Sequence, residues 1–194
     1  MAIIPKERVF ERLWPRGDDG FGWALVDGAR DPRLQPAVAT SRLEHLCLFS
    51  GTITPALASA APYLVRLTPD APFTTWFVDE GWGRSWGVFA RTDATARALH
   101  RHCWELLHAG TEGGAAALFR YYDPRVLRTY LAGCDDVEAR RVFGPASSFI
   151  VEGADAAQLV AFHMGARGIT RDEQRFDRPL GWLGDYLRKG REEG

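Results

Sequence analysis

The sequence predicts an α/β domain of the α+β kind, a mixed β-sheet flanked by helices, and three observations predict it. Short apolar runs of strand composition recur along the chain, each closed by Gly, Pro, Asp or Ser. Between them lie segments whose apolar residues fall three and four apart, the spacing of one helix face. With 194 residues, 46% of them hydrophobic and 12% aromatic, the chain has the size and composition of one domain around a sizeable core.

The elements follow in order. Val9 to Trp14 reads as a short amphipathic helix, ended by the turn residues Pro15-Arg16-Gly17-Asp18-Asp19-Gly20. Phe21 to Val26 (FGWALV) is an apolar run closed by Asp27-Gly28-Ala29, a strand buried on both faces. Asp31-Pro32 starts a helix to about Leu43, because aspartate caps and proline fits the first turn. His45 to Phe49 is a short apolar run, helix end or strand, stopped by Ser50-Gly51. Pro62 to Leu67 is a strand entered through a proline, and Pro72 to Asp79 is helical. Gly81 to Ser85 is a glycine-punctuated loop before a strand at Trp86 to Ala90.

Thr92-Asp93 opens the clearest helix, with Ala96, Leu99, Cys103, Leu106 and Leu107 on one face and Gly110 at its end. Ala115 to Tyr121 is expected to be a strand, and Asp123-Pro124 to cap a helix through Leu131, stopped by Gly133. Ser147 to Val151 and Gln158 to His163 are further strands. The main domain is placed at residues 1–164. Residues 165–194 are read as a polar, arginine-rich tail or a small helical C-terminal lobe, with one apolar island from Leu180 to Leu187.

Charge and composition exclude several classes. A formal charge of −1 gives no general pull toward nucleic acid or acidic membranes. The N-terminus MAIIPKERVFERLW lacks the apolar stretch of a secretory signal, and no window nears the roughly 18 apolar residues of a membrane span. Cys47, Cys103 and Cys134 are odd in number and scattered, without a CxxC pair, which suits a reducing cytoplasm better than a disulfide framework or zinc knuckle. The expectation is a cytoplasmic protein with no nucleic-acid or membrane partner.

Signatures of chemistry are sparse. His100, His102 and His108 share a helix, but offsets of two and eight do not bring three imidazoles onto one face. The chain has no G-x-S-x-G elbow, no phosphate loop and no G-x-G-x-x-G fingerprint. Asp79-Glu80 and Asp135-Asp136 read as solvated acids in polar turns. No catalytic, cofactor-binding or metal-ligating residue is assigned. Trp14, Trp82 and Trp86 lie in or beside loops, where burial is less assured than for Trp23, Trp76 and Trp104, and they are the candidate partner contacts.

The densest polar cluster is Leu118 to Leu127, LFRYYDPRVL. Read physically, Arg120 sits at a strand end, Tyr121 and Tyr122 point to opposite faces, Asp123-Pro124 caps a helix, and Arg120 or Arg125 pairs with the acid. FGWALVDGA (Phe21 to Ala29), LFSG (Leu48 to Gly51), APYLVRL (Ala61 to Leu67), FRYYDPRVL (Phe119 to Leu127) and Phe143-Gly144-Pro145 occur in the order that resembles the bacterial type VI secretion adaptor-chaperones. That family is catalogued as domain of unknown function 4123 and often called Tap or Tec. The resemblance spans about Phe21 to Val151. It implies a cytoplasmic adaptor that binds a toxic effector before secretion, helps load it onto the VgrG spike, and catalyses nothing. It also implies that Asp27, Gly28, Arg120, Tyr122, Asp123, Pro124 and Arg125 define the fold. The alternatives are a hydrolase centred on Arg120 and Asp123, which needs an open acid in a pocket, and an immunity protein that neutralises a toxin.

Overall fold

A computed structural model describes residues 6–17, 20–109 and 118–176. Helix α1 (Lys6–Leu13) leads into strand β1 (Phe21–Asp27), a 3-10 turn (Gly28–Arg30) and α2 (Leu34–Thr40). Strand β2 (His45–Cys47), helix α3 (Pro55–Ala60), β3 (Pro62–Arg66), α4 (Pro72–Gly81) and β4 (Gly87–Thr92) follow. Then come three helices, α5 (Ala96–His108), α6 (Pro124–Gly133) and α7 (Asp136–Phe143), and three strands, β5 (Ser148–Glu152), β6 (Gln158–Gly165) and β7 (Gly168–Arg175).

The strands form one seven-stranded sheet in the order β2-β3-β1-β4-β5-β6-β7. The expected α+β class is what forms, but among the described residues the sheet is not a mixture of parallel and antiparallel pairs: every pairing is antiparallel. The reason is where β1 lies. Strands β3 and β4 run the same way, joined through α4 as a crossover, yet β1 is inserted between them and antiparallel to both. A strand–helix–strand unit split in this way leaves no parallel neighbours, although its sequence pattern is that of a parallel unit.

The pleat sorts the apolar strands between two cores. Trp23, Leu25, Leu64, Val88, Ala90, Phe149, Val151, Val160 and Phe162 face the layer made by α5, α6 and α7. Their chain neighbours Ala24, Val26, Tyr63, Val65, Phe89, Ile150, Leu159 and Ala161 face α1, α2 and α4. Continuous apolar runs such as FGWALV therefore mark strands covered on both sides. Helix α5 buries the face its spacing predicts. That face is Leu99, Cys103, Leu106 and Leu107, each leucine stabilising the fold by about 1.5–3 kcal/mol. The cap of α5 is Thr95, whose hydroxyl accepts from the Ala98 N–H, a turn later than Thr92-Asp93.

Other expectations are corrected. Residues 118–122 are not strand; Tyr121 N–H bonds Phe119 O and Asp123 N–H bonds Arg120 O, so the chain turns here. Without extended backbone, consecutive side chains need not alternate, and Tyr121 and Tyr122 enter the same core as a T-shaped pair 5.9 Å apart. The rest of the expected strand at 115–121 lies outside the described residues. Helix α2 begins at Leu34 rather than Asp31, because the Asp31 carboxylate instead closes a turn on the N–H and guanidinium of Arg33. Asp135 is no idle turn acid: it accepts from Val137 and Glu138 N–H while the Glu138 carboxylate accepts from its own N–H, a capping box that starts α7. The segment read as a tail or lobe from 165 contains β7, paired with β6 along its length. The apolar island at 180–187 lies outside the described residues.

Candidate functional site

One end of the sheet collects β1 and β5 at their C-termini and β3, β4 and β6 at their N-termini. Three acids close this end: Asp27 at the end of β1, Asp123 before α6 and Glu152 at the end of β5, exposed by only 1%, 3% and 8%. A buried carboxylate must be paired or hydrogen-bonded to be tolerated, and each of these is. Asp27 Oδ1 accepts from the Ala29 N–H at 3.2 Å and Oδ2 from Arg120 Nη2 at 2.7 Å. Asp123 Oδ1 accepts from the Arg125 N–H and Nε at 2.9 and 3.0 Å, and Oδ2 from Arg125 Nη2 at 2.6 Å. Glu152 Oε2 takes the Gly83 N–H at 2.6 Å, and Oε1 takes the N–H and hydroxyl of Ser85 at 3.1 and 2.9 Å.

The motif residues thus assemble into one joint. Asp123 and Pro124 start α6, Arg125 folds back on the capping acid, and Arg120 crosses to the end of β1. Arg128, one turn further along α6, donates to the Glu152 backbone carbonyl at 2.7 Å and ties α6 to β5. The Tyr122 ring lies below the Arg120 guanidinium at 5.7 Å. Gly28 fits because a Cβ there would stand 2.5 Å from the Ala61 carbonyl oxygen, to which Gly28 N–H donates.

Electrostatics follow from this packing. Burial alone would raise the Asp123 carboxyl, but hydrogen bonds from the Arg125 side chain and backbone hold it below the usual value. Burial raises the Glu152 carboxyl above its usual value despite the Ser85 and Gly83 donors. Burial also pushes the Cys103 thiol up to about 12, so it is a small apolar core residue rather than a nucleophile. All three cysteines are free thiols. Among the described residues no group of three or more His, Cys, Asp or Glu side chains is placed to hold a metal ion. His102 bonds the Val142 carbonyl and His100 that of Cys47, tying α5 to α7 and to β2.

The tryptophans sort differently from expectation. Trp82 and Trp86, at 7% and 2% exposure, are core residues. Trp82 donates its indole N–H to the Ala156 carbonyl, and Trp86 packs against Trp76 and Phe77 under α4. Loop position does not imply exposure when the loop folds over a sheet end. Trp104, whose burial the sequence makes more assured than that of the loop tryptophans, is 37% exposed and packs its ring at a tilt against His108. Trp14 keeps partial exposure at the opposite end of the sheet. There Phe10, Trp14, Pro15 and Pro69 line an open cleft of about 650 Å³, edged by Glu7, Glu11 and Arg16. Gly22 at the start of β1 lies under the indole, where a Cβ would come within 3.2 Å of the ring.

Sequence reasoning missed Arg128, Glu152 and Ser85. A charge closing the apolar run SFIV is the one local hint for Glu152, whereas its partners are 67 and 69 residues away. No helix among the described residues is long and apolar enough to cross a membrane. A family model described as "Domain of unknown function (DUF4123)" matches residues 22–141, more than half of the chain and the span that holds Asp27, Arg120, Asp123, Arg125 and Arg128. No curated protein and no solved structure matches the chain.

Proposed function

The chain belongs to the DUF4123 family, which is associated with type VI secretion effector adaptors, and on that premise we propose that it is a cytoplasmic adaptor-chaperone. It binds a type VI effector stoichiometrically, shields it before export and assists its loading onto the VgrG spike. The family match carries this reading. The geometry supports it from another side: the hydrolase alternative required an open, reactive acid at Arg120 and Asp123. Asp123 is instead a buried helix cap whose two oxygens are occupied by Arg125, and its carboxyl is lowered rather than poised near neutrality. Of the three tryptophans proposed as contacts, Trp14 is the one with surface to offer, and it remains a proposed partner contact.

Co-expression tests the proposal. A tagged effector encoded beside this gene should become soluble and co-purify with the chain, across an interface of about 1,200–2,000 Å². Failure to associate with any neighbouring effector overturns it.

A further inference from the structure

The acid-closed end of the sheet has a layered charge distribution. The carboxylates of Asp27, Asp123 and Glu152 lie inside, and the guanidinium groups that Asp27 and Asp123 hold lie outside. In both side-chain ion pairs the acid is at most 4% exposed while the side chains of Arg120 and Arg125 are 47% and 53% exposed. Surface pairs such as Arg8–Glu11 and Arg175–Asp155 differ, with both partners open to solvent. The groups of this end form one electrostatic unit: Arg125 feels Glu152 and Asp27 as well as Asp123, and Asp123 feels Arg120. Arg128 on the same helix reaches the end of β5.

Such an arrangement does more than join elements. A guanidinium fixed from behind by a buried acid has already lost the rotamer freedom that a free arginine loses on binding, as a metal-ligating histidine is oriented by the group behind it. Arg120 contacts Asp27 through Nη2 alone, and Arg128 contacts Glu152 through Nη1 alone. A guanidinium has five N–H donors, and its planar fork matches a carboxylate. The chain as a whole carries −1, and Arg120 and Arg125 are each balanced by a buried acid, so the outward guanidinium face is local and gives no general attraction for nucleic acid. We infer that the rim of Arg120, Arg125 and Arg128 is a docking face for an acidic segment of a partner protein, whose Asp or Glu side chains it takes as carboxylates. On the adaptor reading, on which the partner's identity rests, that segment belongs to the effector.

Two titrations test this together. In the first, an oligo-glutamate peptide is titrated into isotope-labelled protein and followed by amide shifts, with an oligo-lysine peptide as control. In the second, the affinity of the co-purified effector is measured between about 50 and 300 mM NaCl. Oligo-glutamate should shift amides of α6 and of the β1 and β5 ends, and oligo-lysine should not. Arg125→Gln and Arg128→Gln together should weaken effector binding about tenfold and flatten its salt dependence. Arg8→Gln on α1, across the sheet, should do neither. Arg125→Lys with Arg128→Lys keeps the charge but not the fork and should fall between. Urea melts of each variant separate lost binding from lost folding. An effector complex indifferent to salt and to the rim variants, with no glutamate-specific shifts, overturns the inference and leaves the adaptor reading standing. Glutamate-specific shifts at the rim without any effector complex would do the reverse. Neither signal would overturn both.

Discussion

The two ends of the sheet are closed by opposite chemistry. At one end two buried acids hold Arg120 and Arg125, and Arg128 ties α6 to the backbone of β5. At the other, an aromatic pair, Phe10 and Trp14 in T-shaped contact at 5.2 Å, lies over the start of β1, while Arg91 Nε donates to the Leu13 carbonyl to dock α1. The acid end is all-or-none, because removing one partner leaves a buried charge without compensation. The aromatic end is graded, since a half-buried ring loses only the area it covered. The difference predicts where substitutions are costly and where they mainly alter recognition.

The largest expected effect is at Arg120. Arg120→Gln leaves the Asp27 carboxylate, almost fully buried, with the Ala29 N–H alone. It should cost about 3 kcal/mol in urea unfolding, the low end of the range for a broken buried pair because water can approach from the exposed arginine side. A loss under 1 kcal/mol would mean that the two ends do not differ in kind. Asp123→Ala comes next. It removes the cap of α6 and should cost about 0.5–2 kcal/mol, while Asp123→Asn, still able to cap, should lose less.

Acid titration sharpens the same contrast within one end. The folded Asp123 carboxyl lies below its model-peptide value of 3.8, so the unfolded chain binds more protons in that window. Its stabilisation is complete above about pH 4 and is lost as pH falls through the folded value. Glu152 has the opposite sign. Its folded value lies above 4.5, the folded chain binds more protons, and stability declines as pH rises through that range. Urea midpoints measured across pH 3–6 should therefore fall less steeply at the acid limb in Asp123→Asn, and decline less above about pH 4.5 in Glu152→Gln. Identical profiles for wild type and both variants would refute the assignment of either sign.

Much of this was legible in the sequence, and what was not has a physical cause. Asp123-Pro124 declares a helix start because cap, proline and first turn are neighbours in the chain. FGWALV declares a doubly covered strand because alternation fails in favour of continuous apolarity. The partner of Arg120 could not be read off, because Asp27 is 93 residues away and brought near only by the sheet. Strand β7 was hidden by its composition: GITRDEQR is an edge strand with one side largely in water, and its polar residues resemble a tail. Trp82 and Trp86 were misplaced for a related reason, since the loop holding them folds under α4 and onto Glu152. The helices α3 and α7 were passed over because each is short, although Asp135 with Glu138 three residues on is a readable capping box.

The smallest stability effect is expected at Trp14, and it is the one that separates recognition from folding. Trp14→Ala exposes the base of the cleft and uncovers Gly22, but the indole is already partly in water, so the loss should be about 1 kcal/mol. Apolar contact is not screened by ions, whereas the contact of a guanidinium with a carboxylate is. If Trp14 is a second contact for the effector, its removal should therefore lower affinity by a similar factor at low and high salt. The rim substitutions should instead reduce affinity mainly at low salt and leave a flatter dependence. Measuring the salt slope of both variants against the same effector distinguishes the two ends by the kind of force each exerts. A flattened slope in Trp14→Ala would place the charged contact at the aromatic end and reverse the comparison.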